Sequence, residues 1–439
     1  MTHCYKQNDK FYLYDTESGS FFEVDELIYK ISNNISLDGE NQADIAEAKA
    51  DLENLKNEGL IEAPQQILEN QTRTEVKALC LHICHDCNLR CSYCFAADGT
   101  YRQEICYMTD EVVRNAIDFI IERSGKIKNL EIDFFGGEPL MNFGVVKNAV
   151  EYGKAEAKKA GKVFKFTMTT NCMLLSEEKI KFLNEEMDNV VLSIDGRAEV
   201  HDFMRKTPNG KGSFDVAMKN AKAFVAVRGE KDYYVRGTFT KNNLDFASDV
   251  KFLTEQGFKQ LSVEPVVLPD EDPLSLKHSD LAEICAEYDK LSDMYVLKRK
   301  ENDTWFNFFH FMIDLNHGPC MGKRIRGCGA GAEYLAVTPK GEIYPCHQFA
   351  DKPEFQIGNV FDKKLNEDIR QIFINSTLIV KEECKTCWAK YHCGGGCAAN
   401  NLNFNGNIDV PYKMACDMFK KRLEISMHCY NEEKGGNQE

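Results

Sequence analysis

Three cysteines fall within eight residues in the stretch Cys87-Asn88-Leu89-Arg90-Cys91-Ser92-Tyr93-Cys94, spaced C-x3-C-x2-C. Three thiolates this close can hold three irons of a [4Fe–4S] cluster, which normally takes four cysteines. The fourth iron is then open to another ligand, and an open metal position separates a catalytic site from a closed structural one. The same residues also allow a zinc site, with His82 or His85 as a further ligand, or a buried cysteine cluster. Further candidates are Gly136-Gly137-Glu138-Pro139, Thr170-Asn171, Ser193-Ile194-Asp195-Gly196, Arg236 and Glu264-Pro265. Paired glycines let a ligand's polar groups approach the backbone, and an acid beside them suits an ammonium group. Each of these motifs is also ordinary turn chemistry.

The elements that must position these residues form a repeating pattern. Strand candidates at 78–83, 130–135, 164–169, 190–194, 233–240 and 261–267 are each followed by a helical stretch, such as 110–123 or 176–187. Such alternation implies a parallel sheet with right-handed crossovers, a partial barrel whose chemistry sits at the carboxyl ends of its strands. All the candidate motifs fall at those ends, on one rim with the cysteine triplet. Turn chemistry does not account for that co-location.

Composition narrows the partners. The 439 residues carry a formal net charge of −15, which argues against nucleic acid. No charged-then-apolar signal opens the chain and no run approaches 18 apolar residues, so a cytoplasmic chain with no membrane segment is expected. In that compartment 18 cysteines are metal ligands rather than disulfides. Residues 1–75 read as a separate unit, with strands at 10–14 and 20–24 and helices at 26–31 and 44–57. A hairpin with about three helices is a winged-helix outline. Its 6 Lys/Arg against 16 Asp/Glu would repel a duplex, which leaves an extended peptide docked along a strand edge as the better partner.

Together these residues resemble a radical S-adenosylmethionine (SAM) enzyme. The triplet, the Tyr before its last Cys, the Gly-Gly-Glu-Pro and the six strand–helix repeats carry the likeness over residues 78–300. It implies that Cys87, Cys91 and Cys94 hold a cluster whose open iron takes the amino and carboxylate groups of SAM. It also implies SAM contacts at Tyr93, Gly136, Gly137, Ser193, Arg205 and Val267, with Glu138 as the acid of the glycine motif. Arg205 suits the SAM carboxylate because its planar fork matches one. Cys172 departs from the family, which has Gly after Thr-Thr-Asn, and makes that turn a point to inspect.

The C-terminal third resembles a SPASM domain with two auxiliary [4Fe–4S] clusters. Cys328 is followed by Gly341 and Cys346, and Cys384-x2-Cys387-x5-Cys393-x3-Cys397 is followed by Cys416. The likeness implies Cys320, Cys328, Cys346 and Cys397 on the first auxiliary cluster, and Cys384, Cys387, Cys393 and Cys416 on the second. Three clusters leave Cys4, Cys80, Cys84, Cys106, Cys172, Cys285 and Cys429 unassigned. A zinc ribbon would explain the C-x2-C pair but not the interleaved Cys346 and Cys397.

Over nearly its whole length the chain resembles the maturases of SCIFF peptides (six cysteines in forty-five residues). Glu131 to Phe143, Asn307 to Asp314 and the run Cys393-Gly394-Gly395-Gly396-Cys397-Ala398-Ala399-Asn400-Asn401 carry that likeness. It implies intramolecular thioether crosslinks in a Cys-rich precursor peptide, whose leader docks on an N-terminal RiPP recognition element. An external donor of flavodoxin or ferredoxin type would supply electrons. Formylglycine formation, as in sulfatase maturation, or peptide epimerisation would keep the same cluster ligands, and a zinc-binding adaptor is the non-enzyme alternative. Where sulfatase-maturating relatives place an Asp base, this chain has His310, with Asp314 one turn on if the stretch is helical; His310 reads as structural. Seven residues separate Cys320 from Cys328, so its iron is a candidate open site for a substrate thiolate. The expected organisation is α/β: residues 1–75 for leader recognition, a partial (β/α)6 TIM barrel at 76–312, a SPASM domain at 313–430 and a disordered tail at 431–439.

Overall fold

A computed structural model describes residues 1–65, 74–301, 304–316 and 324–435. The chain divides into two compact units, one of Met1–Gln71, Leu281–Cys328 and Thr377–Glu439, the other of Thr72–Asp280 and Gly329–Ser376.

In the first unit, β1 (Thr2–Gln7), β2 (Lys10–Asp15) and β3 (Phe21–Val24) form an antiparallel sheet in that order. Helices α1 (Glu26–Ser32) and α2 (Gln42–Asn57) follow, started by Asp25 and Asn41, whose side chains accept backbone N–H groups of the first turn. The third helix of the winged-helix expectation is not among the described residues, and β1 is a strand that the sequence did not reveal. Both faces of the sheet are buried. Cys4 and Leu13 pack with Leu52, Leu55 and Ile61, whereas Tyr5, Tyr12 and Tyr14 pack with Trp388, Leu423 and Met427. The latter two lie on the C-terminal helix Lys413–Gly435. That helix corrects the expected disordered tail: residues 431–435 are helical, held by Glu432 pairing with Lys10 (2.9 Å) and Lys300 (3.0 Å). Residues 436–439 lie outside the described residues.

In the second unit the strands are β4 (Ala78–His85), β5 (Arg90–Cys91), β6 (Cys106–Tyr107), β7 (Asn129–Gly136), β8 (Val163–Thr170), β9 (Asn189–Ser193), β10 (Arg205–Lys206), β11 (Asp232–Phe239) and β12 (Gln260–Pro265). Six of them run parallel in the order β4-β7-β8-β9-β11-β12, with α3 (Asp110–Arg123), α4 (Phe143–Lys159), α5 (Glu177–Glu186), α6 (Ala198–Met204), α7 (Phe214–Ala226) and α8 (Phe246–Glu255) in the crossovers. Period-two burial along β7, where Leu130, Ile132 and Phe134 are fully buried and Glu131, Asp133 and Phe135 only partly, is the signature of a sheet with two unlike faces. The sheet does not close, and it is mixed rather than wholly parallel. Tyr334–Val337 joins parallel to β4 and is followed by the antiparallel Glu342–Tyr344 and Gly358–Asn359, while β6 pairs antiparallel to the end of β4. This long-range addition covers the hydrogen-bonding edge that β4 would otherwise expose. It also brings residues 329–376, read from sequence as C-terminal, into the unit that holds the strand–helix repeats.

Candidate cofactor site

The triplet lies on the loop leaving β4, as the apolar run before it implied, and its backbone is pinned on both sides. Cys91 pairs with Arg205 through β5 and β10, and the Ser92 N–H donates to the Met204 carbonyl (2.9 Å). Arg90 donates to the carbonyls of Cys87 (2.5 Å) and Leu89 (2.8 Å). The Leu89 N–H (3.4 Å) and Asn171 Nδ2 (3.7 Å) are directed at the Cys87 sulfur. Burial pushes all three thiols upward, Cys91 to about 12, with the neighbouring thiols adding to it at Cys87 and Cys91. Such thiols are protonated and inert as free nucleophiles; a bound cation would deprotonate them. Half-buried, mutually close and supplied with donors, the three fit a cluster.

The two glycines are approached closely by the chain's own backbone. Gly137 and Glu138 donate their N–H groups to the Cys84 and Asp86 carbonyls (2.9 and 3.0 Å), so this turn is laced to the chain just before Cys87. A Cβ at Gly137 would lie 1.9 Å from the Asp86 carbonyl oxygen, and one at Gly136, where φ is +117°, 2.4 Å from that of Cys84. Gly137→Ala will therefore lower stability by roughly 3 kcal/mol and displace Cys87. The checks are a thermal melt and the iron bound after reconstitution; full iron retention would show that the contact does not place the triplet. Glu138 is buried, and its carboxylate accepts from Thr170 Oγ1 (2.8 Å), the Asn171 N–H (2.7 Å) and the Leu140 N–H (3.1 Å). Burial raises its pKa and those donors oppose the rise. In this arrangement Glu138 fixes the β8 rim, and with it Asn171.

Asp195 is the residue that sequence undervalued. Fully buried just past β9, it takes a two-pronged bond from Arg205 (both 3.0 Å), the Tyr93 hydroxyl (2.9 and 2.7 Å) and the Thr238 N–H (3.0 Å). Burial disfavours the Arg205 charge, but Asp195, Tyr93 and Cys91 outweigh it and keep the guanidinium above its ordinary range. His201 Nδ1 accepts the Asp195 N–H (3.4 Å), which leaves Nε2 to donate to Ser213 Oγ (3.0 Å); Ser213 in turn donates to the Arg205 carbonyl (2.5 Å). The guanidinium lies 5.4 Å from the Tyr93 ring centroid. Ser193 is half-buried at the end of β9, and Val267 lies two residues beyond β12, which stops at Pro265.

The C-terminal cysteines divide between the units. Cys384, Cys387, Cys393 and Cys416 come together in the first unit, where burial raises the thiol pKa of Cys384, Cys393 and Cys416 and the neighbouring thiols add to the rise. Gly394, Gly395 and Gly396 all have positive φ, and the Gly395 and Gly396 N–H groups turn toward the Cys393 sulfur. Cys397 and Cys328 are electrostatic neighbours in the same unit. Cys346 belongs to the second unit, and Cys320 lies outside the described residues. Among the described residues no three His, Cys, Asp or Glu side chains crowd one point as ligands of a single ion do, whereas a cubane cluster takes one thiolate on each iron.

Residues 81–239 match the model of the Radical SAM superfamily, and residues 328–388 that of SPASM, described as an iron–sulfur cluster-binding domain. The chain carries a radical SAM domain and a SPASM domain. Its cofactors are accordingly SAM and [4Fe–4S] clusters. It is similar to a cysteine-type anaerobic sulfatase-maturating enzyme of Clostridium novyi (strain NT), 28% identical over 360 residues that cover 77% of this chain and 92% of that protein. Among solved structures it is similar to native anSMEcpe with bound AdoMet (22% identity, TM-score 0.67, covering 83% of this chain and 100% of that one). It is also similar to Streptococcus suis SuiB bound to precursor peptide SuiA (17% identity, TM-score 0.54, covering 94% and 98%). At these identities the two structures establish the fold. Among the described residues no helix is long and apolar enough to cross a membrane.

Other side chains of this radical SAM chain fall outside the cofactor roles. His82 and His85, the extra ligands of a zinc site, hydrogen-bond each other (3.1 Å) and pack against Tyr101, His85 stacked and His82 tilted. His310 bonds Arg422 through Nδ1 (3.1 Å), and its carbonyl accepts from Ser426 (2.9 Å). The helical stretch that would bring Asp314 beneath it ends at Phe311, and Asp314 instead accepts the Asn316 N–H (2.9 Å).

Proposed function

We propose that this radical SAM/SPASM enzyme is a peptide maturase that joins cysteine sulfurs to carbon atoms of acceptor residues within a small Cys-rich ribosomal peptide. The observation that carries the peptide half is the N-terminal sheet: β3 pairs only with β2 among the described residues, and such an edge accepts an added strand. This is the winged-helix-like unit read as a recognition element, and its acidic balance favours a basic leader. The crosslinking half rests on three cysteine sets, including the four thiols gathered around Cys393, and on the SCIFF-maturase likeness.

When bound, SAM and the first cluster supply hydrogen-atom abstraction from an unactivated carbon. The chain's own work is placement. The laced turn at Gly137 holds Cys87, Glu138 and Asn171 set the adjoining rim, and Asp195 fixes Arg205 and Tyr93, which would hold SAM. At the place of the sulfatase-maturating base stands His310, engaged with Arg422 and Ser426, which favours sulfur coupling over formylglycine formation.

Anaerobic reconstitution followed by iron and SAM-cleavage assays tests the cofactor part. With three clusters the chain will bind about twelve irons, and Cys87→Ala/Cys91→Ala/Cys94→Ala will bind about eight and lose cleavage. Cleavage that survives the triple substitution would overturn the assignment. With a Cys-rich precursor, the crosslinked product is lighter by two hydrogens. Unchanged mass points to epimerisation, and loss of sulfur to formylglycine.

A further inference from the structure

Lys381 is a buried ammonium with no ion-paired carboxylate among the described residues. It is 3% exposed and, among the described residues, has no acidic side chain at ion-pair distance. Asp409, whose Oδ1 is buried without a hydrogen bond, acts on it from beyond ion-pair distance, second only to Cys384 among the charges. Its Nζ donates one hydrogen bond, to the Gly395 carbonyl at 3.0 Å, and so keeps two of its three donors. The contact is close, since a Cβ on Gly395 would lie 3.2 Å from the Lys381 Nζ. Gly395 sits between Cys393 and Cys397, in the run of left-handed glycines. Besides Asp409, the charges that face the ammonium are sulfurs: Cys384, Cys393 and Cys328 act on it, and it acts in turn on Cys397.

A buried charge with no partner is costly, and proteins rarely keep one. No carboxylate pairs with it directly, and beyond Asp409 the further counter-charge has an evident source in thiolates, which exist only once metal has displaced their protons. Cys384 and Cys393 belong to one proposed auxiliary set, and Cys328 and Cys397 to the other.

We propose that Lys381 is the shared counter-charge of the two auxiliary cysteine sets, and that its ammonium makes both clusters easier to reduce. Net charge and hydrogen bonds to the sulfurs are among the factors that set an iron–sulfur potential. One fixed cation beside both sets shifts both potentials the same way, which suits electrons passing between them. This rests on the assignment of those cysteines as cluster ligands.

The test is an EPR-monitored redox titration of the anaerobically reconstituted full chain, wild type against Lys381→Met and Lys381→Arg. In Lys381→Met both auxiliary midpoint potentials move to more negative values, the SAM-responsive cluster keeps its potential, and Lys381→Arg stays near wild type. A fully loaded Lys381→Met with unmoved auxiliary potentials overturns the proposal. Where Lys381→Met loads poorly, iron content decides: loading rescued by Lys381→Arg but not by Lys381→Gln supports the counter-charge, and rescue by both overturns it. A wild-type iron count near four instead of about twelve defeats the ligand assignment itself, which is a separate result.

Discussion

Asp195→Ala will lower the stability of the strand–helix unit by about 3–5 kcal/mol, the cost of stranding a buried guanidinium. The expectation follows from accessibility: side-chain exposure is 10% for Arg205 and 0% for Asp195. Water cannot replace the carboxylate there, and the Tyr93 hydroxyl and Thr238 N–H lose the same acceptor. Denaturant or thermal unfolding reads the loss, and SAM affinity of the reconstituted protein reads displacement of Arg205 and Tyr93. Asp195→Leu/Arg205→Met separates the two effects. Removing both charges should recover much of the stability while SAM binding stays weak. Stability within 1 kcal/mol of wild type in Asp195→Ala would mean that Arg205 finds another partner, and the positioning role would fall.

Glu17→Ala should have an effect of similar size at the other end of the chain. Glu17, in the β2–β3 turn, accepts from Lys390 (2.6 Å) and from the Tyr391 hydroxyl (2.9 Å), with side-chain exposures of 2% and 4% for the ion pair. Breaking it leaves an unpaired ammonium in a segment flanked by Cys387 and Cys393. A loss of about 3–5 kcal/mol is expected, together with iron content reduced by up to one cluster, about four irons. Glu17→Ala/Lys390→Met should restore much of both. Full iron loading and an unchanged melting point in the single variant would show that the turn does not support the second cysteine set.

The strand–helix core was legible because each parallel strand is a short apolar run closed by turn residues, and residues 110–123 were found as a helix to the residue. What escaped depends on distant partners. Thr2–Gln7 is too polar to read as a strand, and its burial comes from Trp388 and the C-terminal helix. Tyr334–Val337 could be placed beside β4 only by its register with Ala78–Leu81. In the site, spacing singled out the triplet and the family resemblance named Arg205, but neither showed that Asp195 holds Arg205, since an aspartate before a glycine also reads as a turn. Cys172 resolves the doubt that it raised: its φ is +68°, so the turn takes the left-handed form without glycine. It is held by its N–H to Thr170 Oγ1 (3.1 Å) and its carbonyl to Asn220 Nδ2 (2.9 Å), against a strain of about 1 kcal/mol.

The tyrosine face of the N-terminal sheet has a consequence for synthesis. Tyr5, Tyr12 and Tyr14 leave the ribosome several hundred residues before Trp388, Leu423 and Met427, which cover them. At about 5–20 residues per second, roughly 20–80 seconds of translation separate the two. Throughout that interval the sheet can close only the face that α1 and α2 supply. A nascent chain thus carries an uncovered aromatic surface until the helix Lys413–Gly435 emerges, and residues 1–65 expressed alone would carry it permanently.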